Sequence, residues 1–387
     1  MKKISILIIG DEILNGSVVD TNSHYLATKL AANGYELSKI YICSDFDISY
    51  TLHQALDCSD VVISVGGMGF THDDKTLEVL LKLPNVATKS LIPNELGGIQ
   101  GVVLEYNNKI IIPLPGVPCE METMVDKYLF KILVKHIGCK PLLYKRINFC
   151  HTREEEIVNQ LNILVDKYEG INFGIYPKLT NLSVIISGNK DEKKKEIDAA
   201  AEDLRSIKQR SIFLSDDGLI EWALHEELLL RKERLVVGES CTGGALSSGL
   251  TQFSGASNYF LSGLVVYSDD AKCSLLGVPR SMVQKNGAVS EIVTRESLRG
   301  IFKISDATLA VSVSGVAGPS CSENKPVGTV YAAIGRRDGE VFSGLIPMHM
   351  NMPRNVNIKH TCEWVFGALW RMIKFGENSF ETTNYNR

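Results

Sequence analysis

Leu235-Val-Val-Gly-Glu-Ser240-Cys-Thr-Gly-Gly244 passes from a short apolar run straight into small residues that open a helix. A short valine-rich run reads as a buried strand, and paired glycines permit the tight turn from strand to helix. Such a unit is the building block of an open α/β sheet. The turn also exposes the hydroxyl of Ser240 beside helix-start N–H groups, which favour a developing oxyanion or a phosphate. Taken alone, these residues fit a plain N-cap hydroxyl with packing glycines equally well.

The same alternation continues on both sides of this stretch. Helical periodicity precedes it at 219–232, strand-like runs follow at 259–267, 307–314 and 327–334, and a long helix is expected at 356–375. Near the start, apolar runs at 4–9, 39–43, 61–65 and 109–113 interleave with amphipathic stretches at 21–33, 48–56 and 118–136. That βαβα order predicts a mainly parallel sheet. Between the two, shorter strands and two helices over 145–215 suggest a small αβ module. The chain thus divides into residues 1–142, a connecting domain 143–215, a further domain 216–376 and a polar tail 377–387 expected to fray. The expected fold class is α/β, with two three-layer α/β domains of mainly parallel or mixed sheets joined by the small αβ domain.

Hydrophobic residues make up 44% and charged residues 22%, a balance that supports a buried core throughout. The net charge of −4 argues against broad capture of nucleic acid or an anionic membrane, so a small-molecule partner is expected. Nine cysteines lie scattered without a CxxC pair, which fits reduced cytosolic thiols and neither a zinc site nor a disulfide framework. The apolar run after Lys2-Lys3 ends at Gly10-Asp-Glu12, too short for a signal peptide, and no membrane span is expected. A cytoplasmic protein is therefore anticipated. The charge run 191–195 reads as a solvated helix start, and no GXXG loop in the small module suggests RNA binding.

A serine hydroxyl needs a neighbour to take its proton. His225 and His360 fall on predicted helices, where packing duties explain them. Lysine can act as the base if burial makes it neutral, and Lys272 stands in Tyr267-Ser-Asp-Asp-Ala-Lys272, just beyond a predicted strand. A surface role for Lys272 is the alternative. Ser312-Val-Ser-Gly-Val-Ala-Gly-Pro319 and Lys325-Pro-Val-Gly-Thr329 place Gly315, Gly318 and Gly328 where backbone can approach a ligand at a strand's C-terminal end.

Taken together, Glu239-Ser-Cys-Thr-Gly-Gly244, Tyr267-Ser268 with Lys272, Gly287-Ala-Val-Ser290, Gly315-Val-Ala-Gly-Pro319 and Lys325-Pro-Val-Gly-Thr-Val330 resemble the successive motifs of the CinA C-terminal family. That family contains nicotinamide mononucleotide (NMN) amidohydrolases, which form nicotinic acid mononucleotide and ammonia. The resemblance implies Ser240 as nucleophile, Lys272 as base and Tyr267 as a proton-sharing partner, with no cofactor. It further implies substrate contacts from Thr242, Gly243, Gly244, Ser290, Gly315, Gly318, Gly328, Thr329 and Arg354. Backbone N–H groups of 242–244 or 315–318 would hold the oxyanion. Ser320-Cys-Ser322 departs from the family's glycine-rich stretch, and a second arginine near Arg354 is missing, so that either Lys359 substitutes for it or phosphate binding is weaker.

Gly10-Asp-Glu12, Asp20-Thr-Asn22, Gly66-Gly-Met-Gly69 with Thr71-His-Asp-Asp74, and Pro115-Gly-Val-Pro-Cys-Glu120 resemble the molybdopterin-binding-like domain of CinA proteins. The loop Gly66, Gly67, Gly69 and Thr71 suits a nucleotide, and Asp11, Glu12, Asp45 and Asp74 at strand ends suit a divalent cation. Helix caps and turns are the structural alternative. The resemblance implies metal-assisted ADP-ribose hydrolysis as a second or main activity, a KH-like connecting domain, a homodimer and a place in pyridine-nucleotide salvage. Phe70, Lys75, Gly97-Gly-Ile-Gln-Gly101 and a short 77–93 stretch depart from that pattern. A non-catalytic role in DNA uptake or damage response is the remaining alternative, without direct DNA binding.

Overall fold

A computed structural model describes residues 3–69, 74–137, 143–188, 190–348 and 352–382. They form two compact units, Met1–Lys145 with 170–172 and 186–199, and the remainder of the chain. The expected connecting domain 143–215 is divided between them.

The first unit is built on strands β1 (Ile4–Ile9), β2 (Leu37–Cys43), β3 (Val61–Val65), β4 (Ala87–Ile92), β5 (Gly101–Tyr106) and β6 (Lys109–Leu114). Their order is β2-β1-β3-β6-β5-β4. β2, β1, β3 and β6 run parallel, and β5 and β4 pair antiparallel at one edge. Every residue of β1 and β3 is buried, as expected for strands covered on both faces. Successive side chains serve opposite layers. Ile4, Ile6 and Ile8 pack with Leu26, Leu30 and Met121, whereas Leu7 and Ile9 pack with Ile48, Leu52 and Leu56. That alternation makes the three layers.

A four-stranded sheet follows, with β7 (Leu143–Cys150), β8 (Asn172–Pro177), β9 (Asn181–Gly188) and β10 (Ile212–Phe213) in the order β10-β7-β9-β8.

In the second unit β11 (Leu235–Glu239), β12 (Phe260–Val265), β13 (Leu309–Gly315), β14 (Val330–Arg336) and β15 (Val341–Leu345) form a sheet ordered β12-β11-β13-β14-β15. The first three are parallel and the last two antiparallel. Leu235 and Val237 face the helices Ile220–Arg231 and Arg354–Phe375, with Trp364 and Trp370 fully buried between them. Val236 faces the opposite layer, built on Leu276, Val293, Leu298 and Ile301. The α/β fold expected from the sequence is therefore present, with three-layer packing around both larger sheets.

The tail departs from expectation. Ser379–Thr382 forms a helical turn, because Phe380 packs at a tilt against Trp364, ring centroids 4.8 Å apart, and Glu377 ion-pairs with Arg371 at 2.6 Å; residues 383–387 lie outside the described residues. No helix among the described residues is long and apolar enough to cross a membrane.

Candidate active site

Ser240 follows β11 directly and is 8% exposed. Gly243 and Gly244 take φ of 60° and 104°, the left-handed region that glycine enters freely, and the helix begins only at Ala245. Glu239, fully buried, occupies the start of that helix. Its carboxylate accepts hydrogen bonds from Thr242 Oγ1 (2.7 Å), Gly244 N (2.9 Å), Leu246 N (3.1 Å), and Ser247 N and Oγ (2.8 and 2.6 Å). A carboxylate at a helix N-terminus both satisfies the orphan donors and complements the dipole.

Two of the turn amides expected to face a ligand are already engaged. Gly244 N is taken by Glu239 and Gly243 N by Ser240 O at 3.1 Å, and Thr242, Gly243 and Gly244 do not line the cavity. The amides of Ala317 and Gly318, both lining it, make no hydrogen bond among the described residues, whereas the Cys241 amide donates to its own thiol. They are the donors left to meet an oxyanion.

Lys272 comes from the helix Asp269–Leu276, whose N-cap is Ser268, accepting from Ala271 N at 3.1 Å. The side chain is 3% exposed. Its Nζ lies 3.2 Å from Ser240 Oγ, 3.1 Å from Val266 O and 3.3 Å from Tyr267 O. Burial pushes the ammonium below its ordinary value, opposed by Asp269, Cys241, Glu323 and Cys273 in that order. Nζ donates to Ser240 Oγ and to both carbonyls, the three acceptors an ammonium satisfies; once deprotonated, the amine would keep the two carbonyls and turn its lone pair to the Ser240 hydroxyl.

Tyr267 lies in the same cavity but 58% exposed. Its phenol accepts from Arg354 Nη2 at 2.8 Å, and only its backbone carbonyl meets Lys272. The proton-sharing geometry expected of it is thus replaced by a link to Arg354. The guanidinium also donates to Gly318 O at 2.6 Å, which seats Arg354 on the cavity wall with donors to spare. Lys359 does not join it; its charge acts on Glu221 and Glu363.

The cavity, about 250 Å³, brings together Ser240, Tyr267, Lys272, Gly315, Gly318 and Arg354 of the expected residues. Ser290, Gly328 and Thr329 stand behind its wall. Ser290 caps the helix Glu291–Ile304 and donates to Gly287 O at 2.9 Å. Gly328 N and Thr329 O form 2.8 Å bonds with Val316, so they build the wall rather than touch a ligand.

Four further residues escaped the sequence reading. Glu239 and Ser314 were visible only as motif neighbours, and Ser314 lines the cavity while donating to Ala288 O at 2.8 Å. Glu323 lines it too and accepts from Ala288 N (2.9 Å) and Val289 N (3.1 Å). Asn357, buried in the last long helix, donates to Ala317 O at 3.0 Å and so fixes the peptide that presents Gly318 N. A lone asparagine on a helix gives no sequence signal for such a contact.

In the first unit a cleft of about 650 Å³ opens at the C-terminal ends of β1, β3 and β6, where ligands enter open α/β sheets. Gly66, Gly67 and Gly69 line it, with Glu12, Asp45 and Asp74. Gly66 has φ of 104°, and a Cβ there would stand 2.2 Å from Ile9 O. Asp11 does not line the cleft, and Thr71 lies outside the described residues. Among the described residues no three acidic, histidine or cysteine side chains gather to hold a metal ion. Of the four acids expected at a cation site, Glu12, Asp45 and Asp74 line the cleft and Asp11 does not.

Residues 219–373 match the family described as "CinA C-terminal domain", and residues 5–135 the "probable molybdopterin binding domain". A CinA-like protein from Chlorobium limicola is 30% identical over 420 residues, covering 95% of this chain and 97% of the relative. Another from Fervidobacterium nodosum is 32% identical, covering 86% and 90%. The crystal structure of competence damage-inducible protein A from Klebsiella pneumoniae is 29% identical, covering 41% of this chain and 99% of its own, with a TM-score of 0.39. With relatives matched across nearly its whole length, the chain belongs to the CinA family.

Proposed function

We propose that the second unit is a serine amidohydrolase acting on the carboxamide of NMN, giving nicotinic acid mononucleotide and ammonia. One observation carries this: a buried lysine whose Nζ lies 3.2 Å from Ser240 Oγ and whose other partners are both carbonyls. Neutral Lys272 takes the Ser240 proton as Oγ attacks the carboxamide carbon. The tetrahedral oxyanion meets the free amides of Ala317 and Gly318. Lys272 then gives the proton to the departing nitrogen, the C–N bond breaks and ammonia leaves an ester on Ser240. Water, deprotonated by Lys272, attacks the ester; the product carboxylic acid leaves and the proton returns to Ser240 Oγ. Serine and lysine supply nucleophile and base, so no metal or organic cofactor enters this scheme.

Charge supports the choice of a pyridinium nucleotide. Asp269 and Glu323 bring negative charge to the cavity and Arg354 positive charge, matching a cationic ring and a phosphate. At about 250 Å³ the cavity is small beside the roughly 300–1,000 Å³ of common ligand pockets, which favours a mononucleotide over a dinucleotide. Ammonia release should therefore be fast with NMN and weak with NAD or free nicotinamide. Equal rates with all three would remove the phosphate and size arguments.

The first unit's cleft supports a second reading, binding or hydrolysis of a nucleoside diphosphate such as ADP-ribose. Its volume of about 650 Å³ and the glycine loop Gly66–Gly69 favour that larger ligand. Glu12, Asp45 and Asp74 are the residues that would approach a divalent cation there, and no step is drawn through one. A homodimeric, cytoplasmic salvage enzyme without direct nucleic-acid contact is the setting we infer for both.

A further inference from the structure

The turn that follows Gly318-Pro319 holds a backbone that its own residues disfavour. Ser322 and Lys325 pair across it, Lys325 N donating to Ser322 O at 2.8 Å. Between them Glu323 and Asn324 take φ of 52° and 56°. Two left-handed central residues make a type I′ hairpin, a turn ordinarily built from Asn-Gly or Asp-Gly. Glutamate in that conformation costs about 1–2 kcal/mol. Its carboxylate offsets the cost by accepting from Ala288 N at 2.9 Å, Val289 N at 3.1 Å and Lys325 Nζ at 3.0 Å. Gly287 makes room for it, since a Cβ there would stand 2.2 Å from Glu323 Oε2. The carbonyl of the same Ala288 accepts from Ser314 Oγ at 2.8 Å.

We propose that Glu323 is a positioning residue of the Ser240 site, a carboxylate clasp joining the 322–325 hairpin to the 287–290 turn and thereby fixing Ser314 and the cavity wall. The proposal rests on the Ser240–Lys272 pair being the reactive centre. The groups that face Lys272 are Asp269 and Cys273 from its own helix, Cys241 from the turn after β11, and Glu323 from the hairpin. Each opposes the downward push of burial on Lys272. Removing the Glu323 charge moves the lysine further down, so the acid limb of serine reactivity moves to lower pH.

The test needs no nucleotide. Phenylmethylsulfonyl fluoride labels an activated serine as the Oγ–S bond forms, fluoride leaves and the proton passes to Lys272. Labelling of Ser240 is followed by intact mass across pH in the wild type and in Glu323→Gln. The variant should label about tenfold more slowly at the plateau, from a loosened wall, with its acid limb at lower pH. A structural role alone would slow labelling without moving the limb. Gly287→Ala, which expels the carboxylate from its seat, provides the same plateau test if Glu323→Gln fails to fold. Wild-type rate and limb in a folded Glu323→Gln, or the wild-type rate in Gly287→Ala, would overturn the clasp alone. No labelling of Ser240 in the wild type would overturn the nucleophile reading and the clasp with it.

Discussion

Both larger sheets open a site at the C-terminal ends of their parallel strands, yet the two sites are finished differently. In the second unit the groups are committed: Ser240 to Lys272, Lys272 to two carbonyls, Tyr267 to Arg354, and Arg354 to Gly318. In the first unit carboxylates ring a larger cleft, and no three of the described acidic, histidine or cysteine side chains converge on a point. The topology thus supplies a place in both sheets, and the side-chain pairing is what differs between them. Preorganised pairing costs no reorganisation when charge develops, which is where most catalytic gain arises.

The sharpest way to break this contrast is to remove the base. Lys272→Met should lower kcat for ammonia release from NMN by about 10³-fold or more, and Lys272→Arg should not restore it, because a guanidinium stays protonated. Recovery in the arginine variant would show that charge, not proton transfer, is what the site needs. A smaller effect is expected on stability. Glu239→Ala strands several donors at the start of the Ala245–Thr251 helix and should cost about 3 kcal/mol, read from urea unfolding. A loss below about 0.5 kcal/mol would mean water replaces the carboxylate there.

The pH profile sharpens the comparison further. Protonated Lys272 cannot accept the serine proton, so kcat/KM should rise with pH through the lysine's own titration. Burial places that acid limb below the ordinary lysine value of 10.5. A limb at or above 10.5 would contradict a desolvated base. The smallest expected effect is that of a chelator. EDTA should leave ammonia release within about twofold, since proton transfer between serine and lysine uses no metal. A large loss would tie this activity to a cation and dissolve the contrast between the two units.

Much of this was legible in the sequence. Runs such as 4–9, 61–65 and 235–238 are apolar on both faces, which marks them as central parallel strands, and the Ser240 turn sits where its glycines predict. The antiparallel edge strands β4 and β15 were missed, because half-exposed strands carry mixed residues and little periodic signal, and β5, which lies between β6 and β4, was missed with them. At the site, the Ser240–Lys272 approach was implied by the family resemblance, while residue types alone left Lys272 open to a surface role. The fate of the turn amides could not be guessed. Glu239 looks like any acid in a motif until its burial and its helix-start partners are seen. Glu323 was hidden for a related reason: its partners Ala288 and Val289 lie far away in sequence and present only backbone N–H groups, which leave no mark on residue identity.

The most direct test of the central claim is the initial rate of ammonia release from NMN by Ser240→Ala beside the wild type, with folding checked by thermal melting. Turnover is expected in the wild type, with one nicotinic acid mononucleotide formed per ammonia, and a loss of about 10³-fold or more in the variant. Ammonia released at the wild-type rate by folded Ser240→Ala would contradict that claim.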